Sequence, residues 1–384
     1  MSSFKEEMQK RLNVLSDIWY IIRYRRMAKR IQSGESINKG AIKDAIRQLI
    51  KLPGLTREQV KAVRDYYYPY KVSTLNHREK TFITGRFSPS YMPSEIYYAY
   101  IDPYFNDKKK DPGLENKCLF PRLFPGITQP EMIAFRMNGV WLDRENRMVS
   151  FDEVLNAVDK QQEIFVKRAD DSFGGFGVVR LPKRNSASLG EQLKEILEGK
   201  RGDVIIETAL RQHEELARIN PHSVNTIRVY SLLMPDEVRI VAGLIRFASD
   251  EKSVDNFSSG GMMCTVDSTG RLYETAYRHN GERASVHPLT RVRFADIRVP
   301  SYDRVLELVK KAHPMLPFFR FVGWDVAIRE DGEPVLIEAN LCTASLDVLQ
   351  LAADPIFGDD MMKIIDEVLE GTDFPKYHGK RRRS

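Results

Sequence analysis

Three oxygen-bearing side chains late in the chain, Asp325, Glu338 and Asn340, form a set that suits a hard cation. They lie in residues 323–340, GWDVAIREDGEPVLIEAN, which predict two short strands joined by a two-residue type I′ turn at 331–332. That register sets Asp325 opposite Glu338, with Asn340 on the same face. Like charges that face each other destabilise a ladder, whereas Mg²⁺ held by carboxylates and nucleotide phosphates relieves the repulsion. The spacing therefore predicts a magnesium site.

The strands that carry these side chains must bury their other face. Val326, Ile328, Val335 and Ile337 occupy the alternate positions and predict an apolar face packed on a core. A surface hairpin with solvated acids is the alternative interpretation, and the apolar face argues against it.

A lysine and a glycine-rich loop upstream are suited to binding phosphate. Lys167 ends a predicted strand at 163–167, and Gly174, Gly175 and Gly177 lie in the loop before the next strand. Glycines let backbone N–H groups approach phosphate oxygens closely, although a plain tight turn explains the glycines alone equally well. The loop joins two strands rather than a strand and a helix, and GK[ST] is missing. The sequence therefore excludes the Rossmann and P-loop patterns.

Two arginines, Arg228 and Arg246, alternate with valine and leucine on predicted core strands, and Asn256 follows in the stretch VDNFSSGG. An unpaired buried charge is expensive, so both arginines need an anionic partner. Structural ion pairs are one explanation. A substrate carboxylate or a transferred phosphoryl group is the other, and arginine geometry suits both.

The composition bounds the class of protein. A chain of 384 residues with 59 Lys+Arg and 53 Asp+Glu has room for two or three domains and a formal net charge of +6. That charge suits small anionic ligands as well as any polymer, and we expect no nucleic-acid partner. Three widely spaced cysteines without CxxC indicate neither a disulfide framework nor a zinc site. We expect a cytoplasmic protein without a signal peptide or a spanning helix.

The organisation along the chain predicts three regions: a mainly helical N-terminal region at 1–110, a domain at 111–375 and a basic disordered tail at 376–384. Within the first region, 4–31 predict a helix whose second half, WYIIRYRRMAKR, is aromatic and basic. One interpretation is peripheral contact with an anionic membrane, which would make the protein membrane-associated. An ordinary amphipathic helix with cations near its negative end is the other, and it is preferred.

In combination, these segments resemble the ATP-grasp superfamily, and within it the sugar-transfer associated ATP-grasp family. The resemblance rests on the order ENKCLFPRLF, IFVKRA, VIIETAL, NTIRVY, VDNFSSGG, GWDVAI and VLIEAN. The block 225–261 is also similar to the glutamate-ligase branch. The resemblance covers about 111–370 and implies an α+β ATP-grasp fold, in which two α+β lobes with antiparallel sheets hold ATP between them.

The resemblance also implies roles for single residues. Magnesium, as two ions that Mn²⁺ could replace, would be held by Asp325, Glu338 and Asn340. Charge on the transferred phosphoryl group and the acyl-phosphate would be steadied by Arg228 and Arg246, with Asn256 on the acceptor side. The nucleotide phosphates would be bound by Lys117, Lys167, Gly174, Gly175 and Gly177. The adenine would be bound by Glu207, Thr208, Ala209 and Leu210, and the ribose by Glu214.

The predicted function is an ATP- and magnesium-dependent carboxylate–amine ligase that works through an acyl-phosphate. Its partners would be ATP and small-molecule or glycan carboxylates and amines, such as a sugar acid in surface-polysaccharide biosynthesis. The first alternative is a kinase that phosphorylates a sugar or another small-molecule hydroxyl with the same apparatus. The second is a non-catalytic ATP-binding scaffold. After Asn340 the chain runs LCTAS instead of the Ser-Pro-Gly turn of the glutamate-ligase branch, so the resemblance does not fix the shape of the acceptor pocket.

Overall fold

The computed structural model describes residues 52–110, 113–169, 178–184, 187–198, 202–251, 260–341 and 346–377. The chain forms two compact units, of which one comprises 1–106, 280–283 and 345–384 and the other 107–279 and 284–344. This division differs from the predicted domains, because it groups the C-terminal helices with the N-terminal region. The predictions for the basic helix, the glycine loop, Asn256 and the LCTAS turn fall outside the described residues, as does the tail from 378 onward.

The secondary structure of the described residues is mixed, and one π-helical turn, Tyr97–Ile101, lies between two of the short helices. The helices are α1 (Arg57–Tyr66), α2 (Leu75–Thr84), α3 (Ser94–Ile96), α4 (Asp102–Phe105), α5 (Phe120–Leu123), α6 (Phe151–Asp159), α7 (Leu189–Leu197), α8 (Glu214–Ala217), α9 (Tyr302–Ala312), α10 (Leu346–Ala352) and α11 (Met361–Leu369). The strands are β1 (Met132–Met137), β2 (Val140–Asp143), β3 (Glu163–Arg168), β4 (Val178–Pro182), β5 (Val204–Thr208), β6 (Thr226–Leu233), β7 (Val238–Phe247), β8 (Met262–Val266), β9 (Leu272–Tyr277), β10 (Arg283–Ala284), β11 (Phe321–Ile328) and β12 (Pro334–Asn340).

The first unit is helical where it is described. Thr56 and Gln59 form a capping box that starts α1, because each side chain accepts a hydrogen bond from the other's backbone N–H. Buried polar side chains link its helices: Asn76 Nδ2 donates to Gln350 Oε1 at 2.8 Å, and Lys80 Nζ donates to Asp347 Oδ1 at 3.1 Å. No helix in the described part of the chain is long and apolar enough to cross a membrane.

The predicted tail starts later than its sequence suggests. Lys376 forms a β-bridge with Tyr70, and the Tyr377 ring stacks on Tyr68 at a centroid distance of 6.3 Å. These two residues are therefore part of the first unit.

The second unit contains two antiparallel sheets. The smaller sheet has five strands in the order β2-β1-β5-β3-β4, and the pairing of β3 with β4 confirms that the glycine-rich loop joins two strands. Helices α6 and α7 start at capping boxes on Ser150 and Ser188 and share an apolar core with this sheet, which includes Val158, Ile164 and Leu193. The prediction of an α+β architecture is therefore confirmed.

The larger sheet has seven strands in the order β10-β9-β8-β7-β6-β11-β12. One of its faces packs into the main core with α9, through residues such as Val229, Trp324 and Val305. The strands β6 and β11 lie side by side, and β12 forms the edge next to β11. The opposite face is left to carry the polar side chains described below.

A buried hydrogen-bond chain joins β6 to β11 on the core side of this sheet. Trp324 Nε1 donates to Ser231 Oγ at 2.8 Å, and Ser231 Oγ lies 2.7 Å from His313 Nδ1. His313 Nε2 lies 2.9 Å from the carbonyl oxygen of Phe319, which can only accept, so Nε2 carries the proton and Nδ1 accepts from Ser231. Burial lowers the pKa of His313 to about 4, which keeps the ring neutral.

The hairpin of β11 and β12 pairs Asp325 with Glu338 as predicted, but its turn differs from the predicted one. Ile328 pairs with Pro334 and Arg329 N donates to Glu333 O, so the turn holds three residues and only Gly332 takes a positive φ, +80°. The predicted two-residue type I′ turn is therefore wrong. A bulge between Asp325 and Val326 shifts the register back.

The same bulge changes which residues face the core. Val326 and Ile328 do so as predicted, but Leu336 takes the place that the sequence analysis gave to its neighbours Val335 and Ile337. Val335 is buried as predicted, but it pairs with Ala327 and therefore lies on the other face, whereas Ile337 falls at the bulge and is only partly buried. The predicted face was wrong because it assumed unbroken alternation along β12.

Candidate functional site

The site is built on the face of the seven-stranded sheet that points away from the main core. Residues 226, 228 and 230 alternate on β6, and the register places Arg228 opposite Asp325. Arg228 donates to Asp325 through two bonds, Nε to Oδ1 at 2.5 Å and Nη2 to Oδ2 at 2.9 Å. Asp325 is 1% exposed, so this is a desolvated, bidentate ion pair.

A second arginine shares the same carboxylate. Arg246 Nη2 donates to Asp325 Oδ2 at 2.9 Å, and Thr226, its partner in the β6–β7 register, accepts from Arg246 at 3.1 Å and 3.2 Å. Burial alone raises the pKa of Asp325, but the charges of Arg228 and Arg246 outweigh it and hold the pKa below its usual value. We call Arg228, Arg246 and Asp325 the arginine cluster.

The two other predicted metal-binding side chains lie on β12. Lys117 Nζ donates to Glu338 Oε1 at 3.0 Å, and the backbone N–H of Lys117 donates to the Ala169 carbonyl. Asn340 Oδ1 accepts from Arg228 Nη2 at 3.3 Å, which connects Asn340 to the arginine cluster. The Glu338 side chain is 32% exposed and is the more accessible of the two carboxylates, since that of Asp325 is 2% exposed.

The five-stranded sheet contributes a second lysine–glutamate pair. Lys167 Nζ donates to Glu207 Oε2 at 2.5 Å, and both side chains are largely buried. The backbone N–H groups of Thr208 and Ala209 donate to the carbonyls of Glu131 and Glu163, so they are not open to a base. An adenine bound at this segment would have to form its hydrogen bonds with the backbone carbonyls of Thr208 and Ala209 or with the next residue, Leu210.

Other predicted site residues are not joined to these clusters. Glu214 begins α8 and is exposed, and no hydrogen bond among the described residues links its side chain to the site. Gly174, Gly175, Gly177 and Asn256 lie outside the described residues.

Comparison with known proteins decides the family. The model of the sugar-transfer associated ATP-grasp family matches residues 98–364, which is well over half of the chain. The chain belongs to this family. The ATP-grasp fold predicted for it is thereby confirmed. No curated protein sequence matches the chain.

Solved structures are similar to this ATP-grasp protein at low identity. The ATP-grasp ligase PsnB in complex with a minimal precursor is 14% identical, with a TM-score of 0.38, and the match covers 69% of this chain and 63% of that one. D-alanyl-alanine synthetase A from Vibrio cholerae is 14% identical with a TM-score of 0.36, over 66% of this chain and 65% of that one. Each match thus spans less than two thirds of the length of the solved protein. These likenesses add no argument about function.

The donor set of the ATP-grasp protein fits magnesium in part. Both oxygens of Asp325 already accept bonds from arginine, whereas Glu338 Oε2 accepts none from the described residues. No group of three His, Cys, Asp or Glu side chains in the described ranges could hold a metal. Mg²⁺ often takes one carboxylate and completes its shell with phosphates and water. Glu338 fits that need, with Asn340 beside it as a second oxygen donor whose Oδ1 also accepts a long bond from Arg228 at 3.3 Å, and Asp325 fits better as the anchor of the arginines.

Sequence reasoning missed Tyr230, a further member of the polar face. Its ring is fully buried, its phenol oxygen accepts a hydrogen bond from Arg228, and it stacks on Phe321 at a centroid distance of 6.2 Å. Gly323 lies opposite in the register, where an added Cβ would come within 3.3 Å of the Tyr230 ring. The signal was the alternation of 226, 228 and 230 on one strand.

Proposed function

We propose that this ATP-grasp protein is an ATP- and magnesium-dependent carboxylate–amine ligase that works through an acyl-phosphate. The observation that carries the proposal is the arginine cluster, in which two guanidinium groups share one buried carboxylate next to Glu338 and Asn340. Two positive charges and one negative charge leave the cluster with an excess of positive charge. Such a site suits a substrate that gains negative charge during reaction.

The proposed reaction has two steps. A substrate carboxylate oxygen attacks the γ-phosphorus of ATP, and the bond to the β-bridging oxygen breaks, so that ADP leaves. An amine nitrogen then attacks the carbonyl carbon of the acyl-phosphate, phosphate leaves with the C–O bonding electrons, and the nitrogen loses a proton to give an amide.

In these steps each residue has a defined task. Asp325 orients Arg228 and Arg246 so that their N–H groups face the oxygens on which charge develops. Lys117 and Lys167 bind the nucleotide phosphates. Glu338 and Asn340 would hold Mg²⁺, which when bound neutralises charge on the phosphate oxygens.

The substrates are proposed from the family description and the acceptor chemistry. We propose a sugar acid or glycan as the carboxylate and an amino compound as the amine, in surface-polysaccharide biosynthesis in the cytoplasm. The positive excess of the cluster suits an anionic acid of this kind.

A hydroxylamine trap tests the proposal. The full chain is incubated with ATP, Mg²⁺, hydroxylamine and a panel of uronic acids and amino acids, while ADP release and hydroxamate are measured. A ligase gives hydroxamate in proportion to ADP, because hydroxylamine intercepts the acyl-phosphate. Phosphate retained on a stable hydroxyl product would show a kinase instead, and nucleotide binding without ADP release on any acid would show a scaffold.

Matched variants on the same hairpin make the trap specific. Glu338→Gln is expected to abolish hydroxamate formation, because the proposed metal ligand loses its charge. Glu330→Gln lies at the exposed tip of the hairpin and is expected to keep full activity. Equal activity in both variants would contradict the proposed site.

Peripheral membrane contact through the helix that the sequence predicts at 4–31 is a separate proposal. The aromatic and cationic residues at 19–30 match the composition of helices that lie on anionic bilayers. Flotation of the full chain with phosphatidylserine vesicles tests it, and the expected result is binding that weakens as salt is added. Binding that depends on neither anionic lipid nor salt, or no binding at all, would contradict it.

A further inference from the structure

Both lysines proposed to bind phosphate are already paired with carboxylates of the same site. Lys117 bonds to Glu338 at 3.0 Å, and Lys167 bonds to Glu207 at 2.5 Å. The two lysine side chains are only 11% and 15% exposed, so water screens these pairs less than it screens surface ion pairs. A phosphate group therefore has to compete with a carboxylate for each ammonium group.

The pair of Lys117 and Glu338 has a consequence that the other pair lacks. Glu338 is the accessible carboxylate of the proposed magnesium site, and one of its oxygens is occupied by the ammonium group of Lys117. A metal ion and an ammonium group placed on one carboxylate repel each other. Glu338 is thus fully available to a cation only when Lys117 binds elsewhere.

We propose that Lys117 is a displaceable counter-ion of the metal site, so that nucleotide and metal bind by charge exchange. This inference rests on the proposed function. The nucleotide phosphates draw Lys117 away from Glu338, and the carboxylate left behind is neutralised by the divalent cation. The exchange keeps each charge partnered at every stage, and it makes occupancy by metal alone unfavourable.

Metal binding without nucleotide gives the first test. Mn²⁺ is titrated into the full chain, and the free ion is measured by electron paramagnetic resonance. Lys117→Met is expected to bind Mn²⁺ about tenfold more tightly than the wild type, a change of about 1.4 kcal/mol. The gain should vanish in Lys117→Met/Glu338→Gln, because the carboxylate that the lysine releases is then missing.

Lys167→Met is the matched control, since it removes the same charge from the pair with Glu207 rather than from Glu338. Its Mn²⁺ affinity should stay within about twofold of the wild type, because only longer-range repulsion changes. An equal gain in both lysine variants, or none in Lys117→Met, would overturn the inference.

Nucleotide binding gives a second test, in which the effect of Glu338→Gln on ADP affinity should reverse when Mg²⁺ is added. By calorimetry in EDTA, Glu338→Gln is expected to bind ADP about fivefold to tenfold more tightly than the wild type, because Lys117 is no longer held. With Mg²⁺ present the same variant should bind ADP more weakly than the wild type. Loss of affinity under both conditions would refute the exchange.

These outcomes separate the inference from the function it rests on. If the wild type binds no nucleotide, the proposed function fails, while the Mn²⁺ titration still reports on the competition at Glu338. If the wild type binds ADP and gives hydroxamate but Lys117→Met leaves Mn²⁺ affinity unchanged, the exchange alone fails. Thermal unfolding of each variant checks that it is folded.

Discussion

Replacing Asp325 by leucine should destabilise the protein far more than a lost metal ligand would. The carboxylate is 1% exposed and accepts three bonds from arginine at 2.5, 2.9 and 2.9 Å. Its removal leaves Arg228, itself 5% exposed, without its main counter-charge. Breaking a buried ion pair from one side costs about 3–5 kcal/mol. With a urea m value of about 3 kcal/mol/M, the unfolding midpoint should fall by roughly 1 to 1.7 M.

Tryptophan fluorescence provides the assay, because Trp324 is fully buried next to Asp325 in the larger sheet and becomes exposed on unfolding. Adding Arg228→Met to Asp325→Leu should recover at least half of the lost stability. The double variant removes both charges of the pair and fills the space with apolar atoms, an exchange that is often neutral or stabilising. Arg246 keeps Thr226 as a partner in that variant.

Glu338→Leu is the comparison, since Glu338 belongs to the same proposed metal set but is 32% exposed and bonded to one lysine. Its loss should cost less than the loss of Asp325, because the Glu338 carboxylate is partly solvated and holds one ammonium group instead of two guanidinium groups. The reasoning is refuted if Asp325→Leu costs no more than Glu338→Leu, or if Arg228→Met deepens the deficit instead of reducing it.

Two further predictions concern pH and packing. Burial lowers the pKa of both His77 and His313 to about 4, so the unfolded chain binds more protons below pH 6.5; stability should be complete above that pH and fall by about 2 kcal/mol per histidine at pH 5, as followed by urea unfolding. An unchanged free energy of unfolding between pH 7.5 and 5 would contradict this. Gly323→Ala should cost about 1–3 kcal/mol in thermal unfolding, because its Cβ meets Tyr230 at 3.3 Å and Arg228 at 3.4 Å, whereas Gly202→Ala, with open space around it, should stay within about 0.5 kcal/mol. Equal effects of the two substitutions would show that crowding is not the cause.

The sequence was informative where chemistry forces a pattern. Alternation on a strand predicted that Arg228 needs a buried anion, and the hairpin spacing predicted that Asp325 lies opposite Glu338. What it could not predict was the partner, because Arg228 and Asp325 are 97 residues apart and meet only through the pairing of β6 with β11. The helix α2 could not be predicted individually for a similar reason. Its buried Asn76 and Lys80 break the apolar periodicity, and their partners lie near residue 350.

The turn of the hairpin has three residues, one more than a two-residue turn. The bulge places one extra residue in β12, which shifts the strand pairing by one residue in the opposite direction. Each offset alone would turn the side chains beyond it to the wrong face of the sheet. Together they cancel at Asp325, so the site tolerates the pair but neither change by itself. Among relatives we therefore expect the length of this turn and the presence of the bulge to be gained or lost together, as one heritable unit.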